Sequence, residues 1–267
     1  MTADQYMHGH HDSVLRSHRW RTAANSAAYL LPDLTGTTRL LDVGCGPGTI
    51  TLDLARRIPA GHVTGIDAAD EALAGARAAA SREPQANVRF ERGDVCQLSF
   101  ADDAFDVVHA HQVLQHLADP VAALAEMRRV CRPGGVVAVR DGDYGGMCWY
   151  PEDPELTEWR ALYQRIARAV HGEPDAGRRI LAWARAAGFT DIRPSASVWC
   201  YATPDERAWW GDLWADRVTQ SSFGERAIAH HLATQADLDR LAGAWRRWAS
   251  SADGWFLIPH GEVLCRA

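Results

Sequence analysis

Short apolar runs alternate with longer amphipathic segments between residues 39 and 143. Apolar positions three or four apart predict helices, whereas short apolar runs bounded by glycine or polar residues predict strands. We predict five strands, RLLDVG, HVTGID, NVRFERGD, AFDVVHAH and GVVAVRDGD. Three helices are predicted among them, TITLDLARRI, DEALAGARAAASRE and DPVAALAEMRRVCRPGG, the last capped by Asp119 and stopped by Pro-Gly-Gly. This alternation predicts a parallel sheet covered by helices on both faces, with ligands at the carboxyl ends of the strands.

The second half of the chain has a different pattern. PDAGRRILAWARAAGF predicts a helix ended by Gly188, and TDIRPSASVWCYAT and GWFLIPHGEVLCR each predict a strand. Residues 204–252 predict a helical insertion between these strands. The predicted fold class is therefore α/β, a Rossmann-like seven-stranded mostly parallel sheet with helices on both faces and a helical cap insertion. We expect an N-terminal helical lid (1–38), a core (39–203 and 253–267) and the cap (204–252).

Composition narrows the class of protein. Of 267 residues, 47% are hydrophobic and 23% are charged, which is typical of a soluble globular protein. No uninterrupted apolar run approaches the length of a membrane span, and the N-terminus lacks the apolar core of a signal peptide. We therefore expect a cytoplasmic protein with no membrane partner. The net charge of −6 argues against a nucleic-acid partner, because nucleic-acid-binding proteins usually carry a basic stripe.

Residue usage also limits the chemistry. All 28 basic residues are arginine, so no lysine is available for a Schiff base or a phosphate-binding loop. The six cysteines form no CxxC pair, so no zinc site is indicated. The N-terminal histidines leave a metal cluster open, but a lid segment is favoured there and no metal is predicted. They are His8, His10, His11 and His18.

The segment LLDVGCGPGTITLDLA, residues 40–55, places three glycines within five positions directly after a predicted strand. Glycines let the backbone approach a ligand without a Cβ in the way, and the helix start that follows can accept a carboxylate. Gly44, Gly46 and Gly48 depart from the dinucleotide fingerprint GxGxxG, because Thr49 stands where the third glycine would be. The spacing therefore points away from NAD.

The sequence resembles the class I S-adenosylmethionine (SAM)-dependent methyltransferases, and in particular the UbiE-type enzymes. LDVGCGPG is similar to that family's first motif, VTGID to its ribose-binding motif, RFERGDV to its adenine-side motif and FDVVHAHQVLQHLADP to its fourth motif. EMRRVCRPGGVVAV is similar to the helix, turn and fifth strand that follow. These segments cover about residues 38–142 in the family's order and spacing. The resemblance implies SAM as cofactor and S-adenosylhomocysteine (SAH) as product.

The resemblance and the side-chain chemistry together imply a set of cofactor-binding residues. Asp67 is placed to accept both ribose hydroxyls, because a carboxylate offers acceptors to two donors. Asp94 would accept the adenine amino group, and the end of the fourth strand would contact the methionine part. A plain turn or a helix cap is the structural alternative for each glycine or aspartate. The set is Asp42, Gly44, Gly46, Gly48, Asp67, Ala68, Asp94, Val95, His109, His111 and Tyr6, the tyrosine as a residue that folds over the cofactor.

Candidates for handling the methyl acceptor follow the fourth and fifth strands. A carbon or oxygen nucleophile usually loses a proton, often to His, Asp or Glu. Asp143 is the first choice for a base or acceptor-orienting residue, and a turn carboxylate bonding its own backbone is the alternative. The other catalytic candidates are His116 and Tyr144, and Asp141 and His111 also lie at strand ends. Two neighbouring acids suggest a metal-assisted reaction, as in catechol methyltransferases, but the rest of that ligand pattern is missing.

Ten of the eleven tryptophans lie in the second half of the chain. Several of them would line an apolar pocket for a flat or hydrophobic molecule, or would pack the inserted helices on the sheet. Arg19 and Arg21 would meet the methionyl carboxylate or face solvent. The tryptophans concerned are Trp149, Trp209, Trp210 and Trp214.

We therefore expect a SAM-dependent methyltransferase that acts on a small hydrophobic or aromatic acceptor, with carbon or oxygen favoured over nitrogen by family analogy. An NAD-dependent oxidoreductase would use the same sheet and Asp67, although the glycine spacing and RGDV oppose it. A SAM-fold protein that binds cofactor without methylating stays open, because the five motifs describe the cofactor site and not the acceptor site. The expected partner is a small molecule, and the cap leaves a homodimer open.

Overall fold

The computed structural model describes residues 17–18, 20–82 and 87–267, and a mixed sheet forms its centre. The strands are β1 (Arg39–Val43), β2 (His62–Asp67), β3 (Val88–Arg92), β4 (Phe105–His111), β5 (Cys131–Gly142), β6 (Cys148–Tyr150), β7 (Ile192–Tyr201) and β8 (Trp255–Arg266). Their order is β3-β2-β1-β4-β5-β8-β6, and β7 also pairs with β8. The pairs among β1 to β5 are all parallel, so the carboxyl ends of these strands meet at one edge of the sheet.

The predicted α/β class with a mostly parallel sheet is confirmed, and the strand count differs by one. β8 runs antiparallel to its neighbours β5, β6 and β7. It is 12 residues long and extends past the end of β5, which pairs with it only from His260 to Arg266. The overhanging segment Trp255–Leu257 pairs with the three-residue β6 instead. This short strand is the eighth, where seven were predicted.

Nine α-helices lie entirely within the described residues, and Ser17 and His18 are also helical. The nine are α1 (Ala23–Ser26), α2 (Thr49–Arg57), α3 (Asp70–Arg82), α4 (Pro120–Val130), α5 (Pro154–Ala169), α6 (Ile180–Ala186), α7 (Pro204–Gln220), α8 (Ser222–Ala229) and α9 (Gln235–Ser250). As predicted, the side chain of Asp119 caps α4, accepting the N–H of Ala122 at 2.9 Å. That helix ends at Val130, because Arg132 precedes Pro133 and a residue before proline disfavours the helical region. β5 therefore begins four residues earlier than the predicted strand.

Helix α5 has no counterpart among the predicted elements. Asp153 caps it by accepting the N–H of Glu155 at 2.8 Å, and a proline occupies its first turn. Its buried residues recur at helical spacing and include Trp159 and Tyr163. The capping residue and the apolar spacing were both present in the sequence, so this helix was predictable.

Three apolar clusters hold the elements together. One lies between the sheet, α4 and α6 and includes Val108 and Val137. A second lies on the opposite face against α1 and α2 and includes Leu40 and Val107. The third joins α5, α7, α8 and α9 to the ends of β7 and β8. Its largest fully buried side chains are Trp159, Trp214, Trp245, Tyr163, Tyr201, Phe223 and Phe256.

Within the described ranges, no helix is both long and apolar enough to cross a membrane. In the same residues, no three His, Cys, Asp or Glu side chains are grouped to hold a metal ion. The six cysteines are free thiols, and Cys45, Cys131 and Cys265 are buried. Burial raises the pKa of both Cys131 and Cys265 to about 12, so these two thiols stay protonated at neutral pH.

Candidate active site

The glycine loop connects β1 to α2 at the carboxyl edge of the sheet. Gly44, Gly46 and Gly48 all have positive φ angles, of 66°, 54° and 80°. A Cβ added to Gly44 would stand 2.4 Å from Val113, and one added to Gly48 would stand 2.9 Å from the Phe90 ring. At Gly46 the nearest atom among the described residues is His18 Nδ1, at the ordinary contact distance of 3.9 Å. Gly44 and Gly48 therefore leave no room for a side chain, whereas a Cβ on Gly46 would clash with no described residue.

Asp67 lies at the end of β2, beside this loop. Its Oδ2 accepts the N–H of Gly46 at 2.9 Å, and its Oδ1 accepts the N–H of Ala69 at 2.9 Å. These two bonds fix the plane of the Asp67 carboxylate. Asp67 and Gly46 both line a cavity. Each carboxylate oxygen has a second lone pair, so the group has the acceptor capacity that a ribose diol requires.

A single cavity joins the glycine loop to the tryptophan-rich helices. Its volume is about 1580 Å³ when the open space at its mouth is included. One end is lined by Gly46, Asp67 and neighbouring residues, and we call this the cofactor half. The other end, the cap half, is lined by residues of β7, α7 and the N-terminal segment: Arg21, Trp199, Tyr201, Trp210 and Arg217.

The structure brings most of the predicted site residues to this cavity and leaves some away from it. Those on its wall are Asp42, Gly44, Gly46, Asp67, Ala68, Asp94, Val95, His111, His116 and Tyr144. Gly48, His109 and Asp143 do not line it. Tyr6, His8, His10, His11 and Arg19 lie outside the described residues.

His109 is buried beneath the loop and does not reach the cavity, contrary to the predicted cofactor contact. Its Nδ1 lies 2.7 Å from Oδ1 of Asp42, its partner on β1, and the His109 side chain is fully buried. The other oxygen of Asp42 accepts the hydroxyl of Thr51. His109 therefore acts as a positioning residue, because it orients a carboxylate that does line the cavity.

His111 ends β4 and contributes a neutral imidazole to the cavity wall. It is 5% exposed, and neither ring nitrogen has a hydrogen-bond partner. Burial lowers its pKa well below the usual value, and the positive charges of Arg140 and Arg21 lower it further. The imidazole is therefore uncharged at neutral pH.

His116 also lines the cavity, on the turn that follows β4. Burial and the charge of Arg21 lower its pKa to about 3. Nε2 of the Gln115 amide lies 3.0 Å from His116 Nε2, and an amide nitrogen donates, so the imidazole accepts this bond. A ring with so low a pKa holds an abstracted proton weakly, so the geometry favours an orienting role over that of a strong base.

Asp143 does not have the geometry of the predicted base. Its two oxygens accept Nε and Nη2 of Arg178 at 2.7 and 2.6 Å, and Oδ1 also accepts the N–H of Gly146 at 2.9 Å. A carboxylate engaged in a bidentate ion pair and a turn cap holds its charge in place and is a poor proton acceptor. The side chain therefore stabilises the turn after β5.

Two other candidates after β5 have distinct surroundings. Asp141 is fully buried, and burial raises its pKa to about 7, against the opposing effect of the Gln115 N–H at 3.3 Å. It does not line the cavity. Tyr144 does, and its ring stacks on Tyr163 with centroids 3.8 Å apart. Burial raises the pKa of Tyr144, so its phenol is neutral.

Several cavity residues were not among the predicted site residues. Gln112 has a positive φ of 53°, its Oε1 accepts Nη2 of Arg21 at 2.7 Å, and its Nε2 lies 2.9 Å from His260 Nε2. Nothing in the neighbouring sequence indicates that this glutamine adopts a left-handed backbone conformation. Arg217 lies seven positions after Trp210 on α7, so that spacing was a signal that both share one helix face.

The predicted tryptophan pocket is partly present. Trp210 is 4% exposed and lines the cavity, whereas Trp214 is fully buried within the third apolar cluster. Trp149 and Trp209 pack against that cluster from outside. Trp199, which was not singled out, lines the cavity and donates its Nε1–H to the carbonyl of Asn25 at 2.7 Å.

Comparison with known proteins identifies the relatives of this chain. A family model described as a methyltransferase domain matches residues 34–194. An uncharacterised methyltransferase of Schizosaccharomyces pombe is 38% identical over 269 residues, covering 97% of this chain and 95% of the relative. A demethylmenaquinone methyltransferase of Staphylococcus aureus is 36% identical over 138 residues, or 51% of this chain and 54% of the relative. In fold, the chain is similar to phosphoethanolamine N-methyltransferase 2 of Haemonchus contortus, solved with phosphomonomethylethanolamine and SAH. The TM-score is 0.55 at 20% identity, over 87% of this chain and 50% of that one.

Proposed function

Because the chain belongs to the class I SAM-dependent methyltransferases, we propose that it methylates a small hydrophobic or aromatic molecule at carbon or oxygen. The observation that carries the proposal is the continuity of the cavity, which runs from the glycine loop to an aromatic wall. A cofactor at one end and an acceptor at the other would share one enclosed space. Holding two reactants together in this way accounts for much of the rate in a direct group transfer.

The cofactor half fits SAM, whose chemistry when bound is that of an electrophilic sulfonium methyl group. The space beside Gly46 admits a ligand to the backbone, and Asp67 offers acceptors for the ribose hydroxyls. Asp94 and Val95 line the same end and suit the polar edge of an adenine ring.

Two segments of the chain would enclose the acceptor. Residues 204–252 contain α7, α8 and α9, and we assign them the role of a cap because Trp210 and Arg217 of α7 line the cavity. The N-terminal segment would act as a lid, since Ser17, His18 and Arg21 line the same cavity. The carbonyl of His18 accepts the hydroxyl of Thr49 at 3.1 Å, which ties this segment to the start of α2.

His111 and His116 are proposed to orient the acceptor. Both line the cavity, and the lowered pKa of each keeps its ring neutral. A neutral imidazole has one acceptor and one donor nitrogen, so His111 can accept a hydrogen bond from an acceptor hydroxyl. Because Nε2 of His116 accepts the bond from Gln115, His116 would act on the acceptor as a donor through its Nδ1–H. Tyr144 would contribute a neutral phenol to the same wall.

The proposal is tested by incubating the purified protein with SAM and a panel of quinols, phenols and enolisable ketones, and measuring SAH by mass spectrometry. Asp67→Ala is the cofactor-site control, and it should abolish any SAH formed. Formation of SAH together with a methylated quinol, phenol or enol as product supports the proposal. Binding of SAM without methylated product from any member of the panel would favour the non-methylating alternative, and binding of NAD instead would favour the oxidoreductase.

A further inference from the structure

The two halves of the cavity carry opposite charge. Among the described residues that line it, the carboxylates are Asp42, Asp67 and Asp94, and each lies in β1 or directly at or after the ends of β2 and β3. The cap half contains two guanidinium groups, those of Arg21 and Arg217. Within the part of the chain that the structure describes, the acidic side chains that line the cavity therefore all belong to the cofactor half.

Arg217 is built into the cap half and held in one orientation. The residue is 4% exposed, its Nη2 donates to the hydroxyl of Ser17 at 3.0 Å, and its guanidinium lies 4.6 Å from the ring centroid of Trp214. A guanidinium keeps its positive charge in proteins, and its planar fork of donors matches the geometry of a carboxylate. Its enclosed position beside the acceptor space, on the cap side, makes it suited to binding an anionic group on a ligand.

A stacked pair of aromatic rings lies in the same half of the cavity. Tyr201 and Trp210 stack with centroids 4.4 Å apart and an interplanar angle of 10°. Both line the cavity, and both are at least 96% buried by their exposures of 1% and 4%. Neither the Tyr201 hydroxyl nor the Trp210 indole N–H has a hydrogen-bond partner. Buried polar groups of this kind are usually satisfied, so these two point to a ligand with oxygen atoms.

The field of the arginines reaches this wall. Burial raises the pKa of Tyr201, and Arg21, Arg140 and Arg217 each act in the opposite direction. The positive charges of these arginines would also attract an oxyanion of a ligand bound in the cap half.

From these contacts we propose that the acceptor is a planar molecule with an anionic oxygen, a carboxylate or a phenolate, which Arg217 binds while the ring lies against Tyr201 and Trp210. This inference rests on the proposed function and narrows it from hydrophobic acceptors in general to anionic aromatic ones. Stabilisation of a phenolate by the guanidinium would also supply a deprotonated nucleophile without a strong protein base, in keeping with the low pKa of His116.

Ligand binding to the SAH-loaded protein tests the proposal without requiring turnover. Two matched pairs are titrated by calorimetry: naphthoate against its methyl ester, and nitrophenolate at mildly alkaline pH against nitroanisole. The members of each pair share a ring and differ in charge. The variants are Arg217→Met, which keeps the length of the stem, Arg217→Lys, which keeps the charge, and Arg240→Met as a matched arginine control. Arg240 lies on α9, pairs with Glu158 and does not line the cavity.

We expect the anionic member of at least one pair to bind about tenfold or more tightly than its neutral partner, as the loss of one charge-assisted hydrogen bond requires. That preference should disappear in Arg217→Met, survive in part in Arg217→Lys and be unchanged in Arg240→Met. A preference in the first pair identifies a carboxylate, and one in the second pair a phenolate.

Equal binding within both pairs, failure of both anions to bind, or an undiminished preference in Arg217→Met would overturn the proposal. SAH affinity, measured in the same titrations, separates this from failure of the proposed function. If SAH does not bind to the unmodified protein, the methyltransferase proposal itself fails. If Arg217→Met no longer binds SAH, the preference for the anionic ligand is compared between the unmodified protein and Arg217→Lys instead, and a preference that Arg217→Lys leaves undiminished overturns the proposal.

Discussion

The backbone N–H of Gly46 donates a hydrogen bond of 2.9 Å to the carboxylate of Asp67, 21 positions further along the chain. The bond joins the loop after β1 to the end of β2 and therefore fixes two sides of the cofactor half relative to each other. A site that is ordered before a ligand arrives loses less conformational entropy on binding. Asp67 is thus expected to act as a ligand contact and also as a support for the glycine loop.

Substitution of two glycines should separate binding from packing. In Gly46→Ala the added methyl group would stand 3.9 Å from His18 Nδ1 on the side expected to hold the ligand, while the positive φ costs about 1–2 kcal/mol of stability. In Gly48→Ala it would meet the Phe90 ring at 2.9 Å and Ala76 at 3.0 Å. We expect Gly46→Ala to lose SAH affinity at least tenfold with a small fall in melting temperature. Gly48→Ala should show the larger fall in melting temperature.

Calorimetry with SAH and thermal unfolding of the two glycine variants provide these measurements. The ratio of affinity loss to stability loss is the quantity to compare, since both substitutions introduce the same methyl group at a positive φ. Similar ratios for the two variants would contradict the assignment of Gly46 to the ligand side of the loop.

Replacement of Asp143 tests its assignment to the turn. Asp143→Asn removes the charge that pairs with Arg178 and weakens the cap on Gly146. Because Arg178 is about half exposed, the expected loss in the free energy of unfolding is modest, about 1 kcal/mol. SAH affinity should not change, since Asp143 does not line the cavity. Urea unfolding and SAH titration measure the two quantities, and a large loss of affinity with unchanged stability would place Asp143 in the site after all.

The buried carboxyl of Asp141 should make stability depend on pH. Its pKa is about 7 in the folded protein, against an ordinary value of 3.8. Between these values the folded protein keeps a proton that the unfolded chain has released, so the contribution of Asp141 to stability falls as pH rises from about 4 to about 7. Asp141→Asn removes this pH dependence. Its free energy of unfolding should therefore rise relative to that of the unmodified protein, by up to about 4 kcal/mol between about pH 4 and about pH 7.

Urea unfolding at a series of pH values checks this difference. The pH dependence of the unmodified protein alone does not isolate the effect of Asp141. His111 and His116 have lowered pKa values, so their contribution to stability falls in the opposite direction, as pH falls below 6.5. Asp102→Asn, at a side chain that is 72% exposed, is the matched control. Parallel curves for Asp141→Asn and the unmodified protein would show that Asp141 titrates normally.

Much of the fold was accessible from the sequence because its signals are local. Strand and helix periods, the Asp119 cap and the glycine spacing each depend on a few neighbouring residues. The placement of Asp67 beside the glycine loop also followed, since parallel strands end at one edge of the sheet.

The cap half of the site was harder to predict because distant segments form it. Trp199 and Tyr201 come from β7, Arg217 from α7 and Arg21 from the N-terminal segment. Asp143 illustrates the same limit, since its partner Arg178 lies 35 positions away and no local pattern announces the pair. Only the folded chain distinguishes a carboxylate that faces a cavity from one that is already paired.

The most direct test of the account is parallel calorimetric titration with SAH, SAM and NAD, using the unmodified protein and Asp67→Ala. Asp70→Ala, at a nearby exposed residue of α3 that does not line the cavity, is the control. We predict that SAH and SAM bind, that NAD does not, and that Asp67→Ala weakens SAH and SAM binding at least tenfold, as loss of charge-assisted hydrogen bonds requires. Binding of NAD, or adenosyl binding that is unaffected by Asp67→Ala, would contradict the assignment of this cavity as the cofactor site.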